Sequence, residues 1–256
     1  MQVTTVSFYR FRGFWARAWA FVHMQLAKRP LRRVPGIGFH KILGAGAGEG
    51  FDLAPNFAVY AILATWPSRD EAEAGLREGR VFRRYARWSR ERWTVYLSAA
   101  RAHGAWDARA PFEPSGERLP LDGEGPMAVL TRATVDRRHL RAFWRSVPAI
   151  SALTAQLPGL HFKLGMGELP VIQLMTFSLW SRPEAMKGFA YAAGPHREAM
   201  RRAKTEGWFT EELFARFRVL AAEGTWLGQD PLELAARPPV ARAAPAQPRL
   251  PAAAAS

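Results

Sequence analysis

The sequence says nearly the same thing twice, about 120 residues apart, so the chain must fold as two like units or as one body built from like halves. The first copy, within Leu31 to Asp107, carries Pro35-Gly36 and the run Lys41-Ile42-Leu43-Gly44-Ala45-Gly46. An apolar stretch, Phe57 to Ala64, then ends in Trp66-Pro67-Ser68-Arg69, and Gly104-Ala105-Trp106 follows. The second copy, within Leu157 to Asp230, carries Pro158-Gly159 and Lys163-Leu164-Gly165-Met166-Gly167. Val171 to Leu179 ends in Trp180-Ser181-Arg182-Pro183, and Gly224-Thr225-Trp226 closes it. Four landmarks in one order point to a duplicated domain. The copies differ in one stretch: Trp66 to Trp106 spans 40 residues and Trp180 to Trp226 spans 46, and His196 falls in the longer one.

Hydrophobic periodicity predicts the same order of elements in both copies. Val3 to Phe11 alternates as a strand does, and Phe14 to Arg32 is apolar at helical spacing until Pro30 stops it. Phe39 to Leu43 and Phe57 to Thr65 read as strands, Asp70 to Ser89 as a helix and Trp93 to Ala100 as a strand. In the second copy Ala128 to Val135, His161 to Leu164, Val171 to Trp180 and Phe217 to Ala222 read as strands. Arg137 to Gln156, Glu184 to Ala190 and Arg197 to Thr205 read as helices. This β-α-β-β-α-β order is the ferredoxin-like unit. Such a sheet carries helices on one face only, so two bare faces must cover each other. The fold expected is α+β, with tandem duplicated ferredoxin-like units packed as a dimeric α/β-barrel-like sandwich. The first unit is expected at 1–110, a Pro, Gly and acid-rich linker at 111–125 and the second unit at 126–236. A disordered Ala/Pro-rich tail is expected at 237–256.

Composition narrows the chemistry. With 48% hydrophobic residues in 256 the chain can bury a real core, and with no cysteine it has no disulfide, thiolate ligand, iron–sulfur cluster or cysteine nucleophile. That usage fits a reducing cytoplasm, and any metal must be held by His, carboxylate, Met or Tyr. Met1 to Arg12 lacks the pattern of a signal peptide, and no stretch reaches the roughly 18 apolar residues that span a bilayer. The net charge of +14 implies nucleic acid, phospholipid headgroups or an acidic protein as partner, or else a solvated arginine-rich surface.

His196 is the first candidate for chemistry. It follows Gly194-Pro195 at an expected helix start and precedes Arg197, Arg201, Arg202 and Lys204. A histidine beside several cations suits a haem iron with arginine-paired propionates, and it equally suits a surface or helix-cap histidine. His40 and His161, at strand starts, are the alternative ligands, and no histidine pair has the spacing of a zinc site. The run Gly44 to Gly50 has Glu49 where a dinucleotide fingerprint needs glycine, so it reads as a hairpin. Tryptophans including Trp15, Trp19, Trp66, Trp88, Trp93, Trp144, Trp180 and Trp208 suit either an apolar cavity or ordinary core packing. Phe14 to Arg33 mixes Trp and Phe with Arg17, Lys28, Arg29, Arg32 and Arg33, as an interfacial membrane helix does, and burial against the sheet fits it as well. The RNP1 pattern is absent and paired sheets would bury the stacking face, so no nucleic-acid partner is expected.

Several segments also carry a resemblance. Leu130-Thr131-Arg132-Ala133-Thr134-Val135, Phe162 to Glu168, Thr176 to Trp180 and Trp208 to Phe217 are similar to the spheroidene monooxygenase family, as are Gly48 to Phe51, Trp106-Asp107 and Pro111 to Pro114. The resemblance runs from about Val3 to Asp230. It implies a haem-dependent carotenoid ketolase of purple photosynthetic bacteria that places a keto group at C-2 of spheroidene, using O2 and reduced ferredoxin. It implies His196 as the iron ligand; beside it Arg197, Arg201 and Trp208 are expected as further haem contacts, and Arg132 as a catalytic residue facing the haem or its propionates. The insoluble substrate implies peripheral association with the inner or intracytoplasmic membrane. A noncatalytic haem or carotenoid binder on the same fold is the alternative, and homo-oligomer formation stays open.

Overall fold

The structure is a computed structural model that describes residues 1–47, 54–115, 125–154, 157–169, 171–191 and 195–237. The end of the glycine run, most of the 111–125 linker and the tail beyond 237 lie outside the described residues. Eight strands form one closed antiparallel barrel: β1 (Val3–Arg10), β2 (His40–Gly46), β3 (Pro55–Trp66), β4 (Glu91–Gly104), β5 (Met127–Val135), β6 (Leu160–Leu169), β7 (Gln173–Trp180) and β8 (Phe209–Gly224). The order around it is β1-β3-β2-β6-β7-β5-β8-β4. Each half therefore has its last strand beside its first and its second beside its third. The halves are joined by pairing of β2 with β6 and of β4 with β8. The expected sandwich is thus closed edge to edge, by the short seam of Gly44–Gly167 and Ala45–Met166 and the long one from Trp93–Gly224 to Gly104–Leu213.

The registers of the halves mirror each other. Val3 pairs with Trp66 and Met127 with Trp180. Counted from those pairs, Gly44 and Gly167 are equivalent, and they pair with each other at the β2–β6 seam. At the other seam Trp93 pairs with Gly224 and Gly104 with Leu213. Gly104 and Gly224 each have positive φ, and a Cβ on either would run into a carbonyl of the opposite strand, Glu212 or Arg92. After each glycine the chain turns its next tryptophan, Trp106 or Trp226, toward an end of the barrel.

The two bare sheet faces meet inside the barrel, where Val6, Phe8, Trp93, Leu130, Phe162, Phe177 and Phe217 pack in one apolar cluster. Helices cover the outside. The first half has α1 (Phe14–Leu26), α2 (Lys28–Leu31), α3 (Arg69–Glu78) and α4 (Arg80–Trp88); the second has α5 (Leu140–Thr154), α6 (Pro183–Tyr191), α7 (Pro195–Glu206) and a terminal α8 (Pro231–Ala236). Ser68 starts α3 by accepting from the Glu71 N–H at 3.3 Å, with Asp70 and Glu71 in the first turn. Gly79 divides the single helix expected over 70–89 in two. Two elements lie outside those expected: α8, which Asp230 caps and Pro231 opens, and the first half of β8, where Glu211-Glu212 breaks the apolar pattern. The match of Lys41 to Lys163 is one residue out of register. A bulge between Leu160 and Phe162 pairs Lys163 with Ser178, while Lys41 pairs with Leu63, so the two lysines leave opposite faces of their sheets.

Candidate functional site

Equivalent strands present different outer faces in the two halves. In the first half Val3, Tyr9, Ile42, Tyr60, Ile62 and Tyr96 are buried beneath α1 to α4 as one continuous apolar cluster, and Ser7 Oγ lies 2.9 Å from Thr94 Oγ1 in a buried hydrogen bond. By register, the second half has Ala133 in place of Tyr9, Gly165 in place of Ile42, Thr176 in place of Ile62 and Arg216 in place of Tyr96. A buried Ile side chain contributes roughly 1.5–3 kcal/mol, so these replacements forgo a good part of the layer's packing energy.

The outcome is an opening over the middle of the second sheet. Thr131, the counterpart of the fully buried Ser7, is exposed although β5 lies between β7 and β8. It pairs with Thr176 on one side and Phe214 on the other, and both are only half-buried. Two separate apolar clusters flank this row. Toward one barrel end Val135, Leu174 and Trp208 pack with Phe143 and Val147 of α5 and Ala203 of α7. Toward the other, Met127, Val129 and Trp180 pack with Met186 of α6. Arg216 lies one row from Thr131, 5.4 Å from the Phe214 ring centroid. Its Nε is buried and has no hydrogen-bond partner among the described residues. A cleft with a floor of small residues, apolar walls and an uncommitted guanidinium suits a flat or elongated apolar ligand with an anionic end.

The residues singled out from the sequence fall on both sides of this sheet. His196 is in the first turn of α7, seven residues before Ala203, and its side chain lies outside the described residues. Arg197 is exposed on the same helix, and Arg201 is exposed and paired with Glu198 through two hydrogen bonds of 2.6 and 3.0 Å. Trp208 is buried in the α5–α7 cluster, its Nε1 donating to Glu206 at 2.7 Å under the Arg202 guanidinium. These four belong to one layer outside the barrel. Arg132, next to Thr131 on β5, leaves the opposite face, so the structure does not bring it together with α7. The tryptophans do not share one cavity: Trp93 and Trp106 lie inside the barrel, Trp66 under the first helix layer, and Trp180 and Trp208 in separate clusters. The alternative ligand His40 is half-buried, with Nδ1 2.8 Å from the Gly38 carbonyl, while His161 is exposed at the start of β6. His103 stands at the far end of the Thr131 row, against Phe214.

Arg132 belongs instead to a polar cluster at one barrel end. It pairs with Glu211 and lies over the Trp106 ring. Glu211 also accepts the N–H groups of Ala108 and Asp107, at 2.8 and 3.3 Å. Lys41 Nζ is 2.5 Å from Glu168 and 2.5 Å from Asp107, and Trp106 Nε1 donates to Glu168 at 2.6 Å. First-half and second-half residues alternate through this network, which ties the halves together. Apart from the buried Arg132 Nε, which has no partner among the described residues, the charges there are mutually satisfied.

Comparison with known proteins decides the family. No family model matches the chain. Over 241 residues it is 40% identical to spheroidene monooxygenase of Cereibacter sphaeroides, covering 93% of this chain and 74% of that protein. It is 39% identical over 232 residues to the Rhodobacter capsulatus enzyme of the same name, covering 91% and 96%. The chain belongs to the spheroidene monooxygenase family. Membership makes it an oxidoreductase. A further relative in this family, from Rubrivivax gelatinosus, is 29% identical over 214 residues. Among solved structures, aldoxime dehydratase shares the fold with a TM-score of 0.58 at 12% identity, over 90% of this chain and 82% of that one.

Proposed function

We propose that the chain converts spheroidene to spheroidenone in the cleft of its second half. The observation that carries the location is Thr131, exposed in the middle of a sheet whose other half is sealed at the same place. Family membership supports the reaction. The pseudo-symmetric registers support reading the barrel as two ferredoxin-like units, at 1–110 and 126–236.

The residues present fit a haem in this cleft. Among the described residues no three His or carboxylate groups converge on a metal position, and a haem, which brings four nitrogens of its own, needs only one protein donor. His196 would supply it, since helical periodicity gives its position the same stripe of α7 as Ala203, which packs toward the sheet. The half-buried Arg216 would take one propionate and Arg197 the other; Arg201 is already neutralised by Glu198. Bound there, haem supplies the activation of O2 that side chains do not perform. The protein's own part is position and dryness. Thr131, Ala133 and Thr176 leave room for a flat group, and the two apolar clusters exclude water and align the polyene. Two successive hydroxylations at C-2 each place one oxygen atom on carbon and release the other as water, with two electrons from reduced ferredoxin. The resulting gem-diol loses water to give the ketone, so the alcohol formed first must stay bound. In this reading Arg132 acts by tying the barrel end rather than by touching the haem. The basic surface would dock ferredoxin, and the substrate would come from the inner or intracytoplasmic membrane. Among the described residues no helix is long and apolar enough to cross a membrane.

The test is an absorption spectrum with a pyridine haemochrome assay on wild type, His196→Ala and His103→Ala, followed by turnover with spheroidene, O2 and reduced ferredoxin. A Soret band lost only in His196→Ala, with ketone formed by wild type, is expected. No Soret band after haem supplementation, or one that survives His196→Ala, would overturn the assignment. Haem without turnover would leave a noncatalytic binder.

A further inference from the structure

The first half carries a surface that the enzymatic reading does not use. Only Ala20 of the thirteen residues of α1 is buried. Phe14, Trp15, Phe21, Val22 and Leu26 are 75%, 77%, 57%, 51% and 61% exposed. Their spacing puts them on one side of the helix, and the opposite side meets β3, β2 and α4. Phe57, at the start of β3, extends the patch and lies 5.5 Å from Phe21 between ring centroids. Exposed large apolar residues scattered singly are ordinary, but six gathered on one helix face and its neighbour need an occupant.

Charge identifies that occupant. The first 48 residues hold eight Lys and Arg and no Asp or Glu. Arg12 and Arg17 lie exposed at the N-terminal end of the apolar face, where with Arg10 and Arg90 they line a shallow hollow. Lys28, Arg29, Arg32 and Arg33 lie exposed beyond its C-terminal end. Of these eight, Arg90 included, only Arg10 has an acidic partner, Glu91, among the described residues. An isologous dimer through α1 would set each basic rim against its own copy and repel it. An anionic bilayer takes the aromatic face into the headgroup boundary and pairs the rim with lipid phosphates. At thirteen residues α1 is too short to span, so it lies in the plane of the surface.

We infer that α1 is the element with which this protein docks on anionic membrane surfaces, inserting Phe14, Trp15, Phe21, Val22 and Leu26 within a ring of basic side chains. The inference deepens the proposal that the substrate is drawn from a membrane, but its test does not depend on haem or on turnover.

The experiment is co-sedimentation of the full-length protein with vesicles of phosphatidylcholine alone or mixed with phosphatidylglycerol, at low and high salt. The variants are Trp15→Ser with Phe21→Ser, and Arg29→Glu with Arg32→Glu and Arg33→Glu; thermal melts check that each is folded. Wild type should bind the anionic vesicles and not the neutral ones, and either variant should lose about tenfold or more in partitioning. High salt should weaken wild type by a similar factor. Equal partitioning of wild type and folded variants would overturn the inference, as would wild-type binding that ignores lipid charge. A wild-type dimer in solution that Trp15→Ser with Phe21→Ser converts to monomer, without vesicle binding, would assign the face to a second copy instead.

Discussion

The two helix layers sit on the same strand frame and do opposite things. Over the first sheet, Tyr9, Ile42, Ile62 and Tyr96 are buried beneath α1 to α4. Over the second, Thr131 is exposed, Ala133 and Thr176 are smaller and only half-buried, and Arg216 adds a charge. Strand order, register and the two glycine turns are shared, so the backbone is not what makes the cleft. Side-chain volume taken away at a few outward positions is enough. On the function proposed above, one half is given to packing and the other to a ligand.

Putting the first half's residues into the second should close the cleft. Ala133→Tyr with Thr176→Ile restores the side chains found at Tyr9 and Ile62. It is expected to lower ketone formation by about 100-fold or more, the scale of loss when a reacting group is displaced. The melting temperature should hold or rise, because the added groups enter empty space. Turnover retained at wild-type level would move the site elsewhere in the molecule.

The barrel ends offer a second contrast. Glu211 and Glu91 are counterparts: each caps the backbone N–H groups of the turn that follows the other half's last strand. Glu211 in addition pairs with Arg132, which is buried, whereas the Arg10 partner of Glu91 keeps a third of its side chain exposed. Glu211→Gln should therefore cost about 3–5 kcal/mol by stranding a buried charge, and Glu91→Gln about 1–3 kcal/mol. Urea unfolding at neutral pH measures both, and equal losses would mean that the two ends are energetically alike. Burial raises both carboxyl pKa values. For Glu211 the Ala108 N–H and Arg132 outweigh it, and for Glu91 the Gly228 N–H, the Thr225 hydroxyl and Arg10 do so, leaving both below the ordinary carboxylate range. A carboxyl lowered on folding stabilises fully above its unfolded pKa of about 4.3 and loses that contribution as pH falls through the folded value. Wild type should lose stability below about pH 5, and the double Glu→Gln variant should show a flatter profile there.

How much of this was legible in the sequence follows from what each residue signals locally. The paired landmarks Trp66 and Trp180, and the Gly104 and Gly224 turns, gave the two halves and most strands, because alternation and positive-φ glycines are local properties. The register was not local. A bulge in β6 displaced the Lys41–Lys163 match by one residue, and with it the face each lysine occupies. The resemblance named Arg132 but could not say which side of β5 it leaves. Thr131 and Thr176 carry no chemical signature. They become conspicuous only when the halves are aligned by strand pairing and the small residue is set beside the large one it replaces. Closure into a barrel likewise depends on the β2–β6 and β4–β8 seams, pairings between distant segments that no local pattern encodes.

The finest contrast rests on one hydroxyl in each half. Ser7 and Thr131 occupy equivalent positions on the central strands β1 and β5. Ser7 is fully buried and shares a 2.9 Å hydrogen bond with Thr94, itself buried. Ser7→Ala leaves the Thr94 hydroxyl without that partner and should cost about 1–2 kcal/mol. Thr131 is exposed to the cleft, so Thr131→Ala should change stability by less than about 0.5 kcal/mol, as at an ordinary surface position. Its effect belongs in ligand affinity, because a hydroxyl on the cleft floor meets whatever is bound. A Thr131→Ala variant as destabilised as Ser7→Ala would mean that the second sheet is sealed in solution like the first, and the cleft would have to be given up.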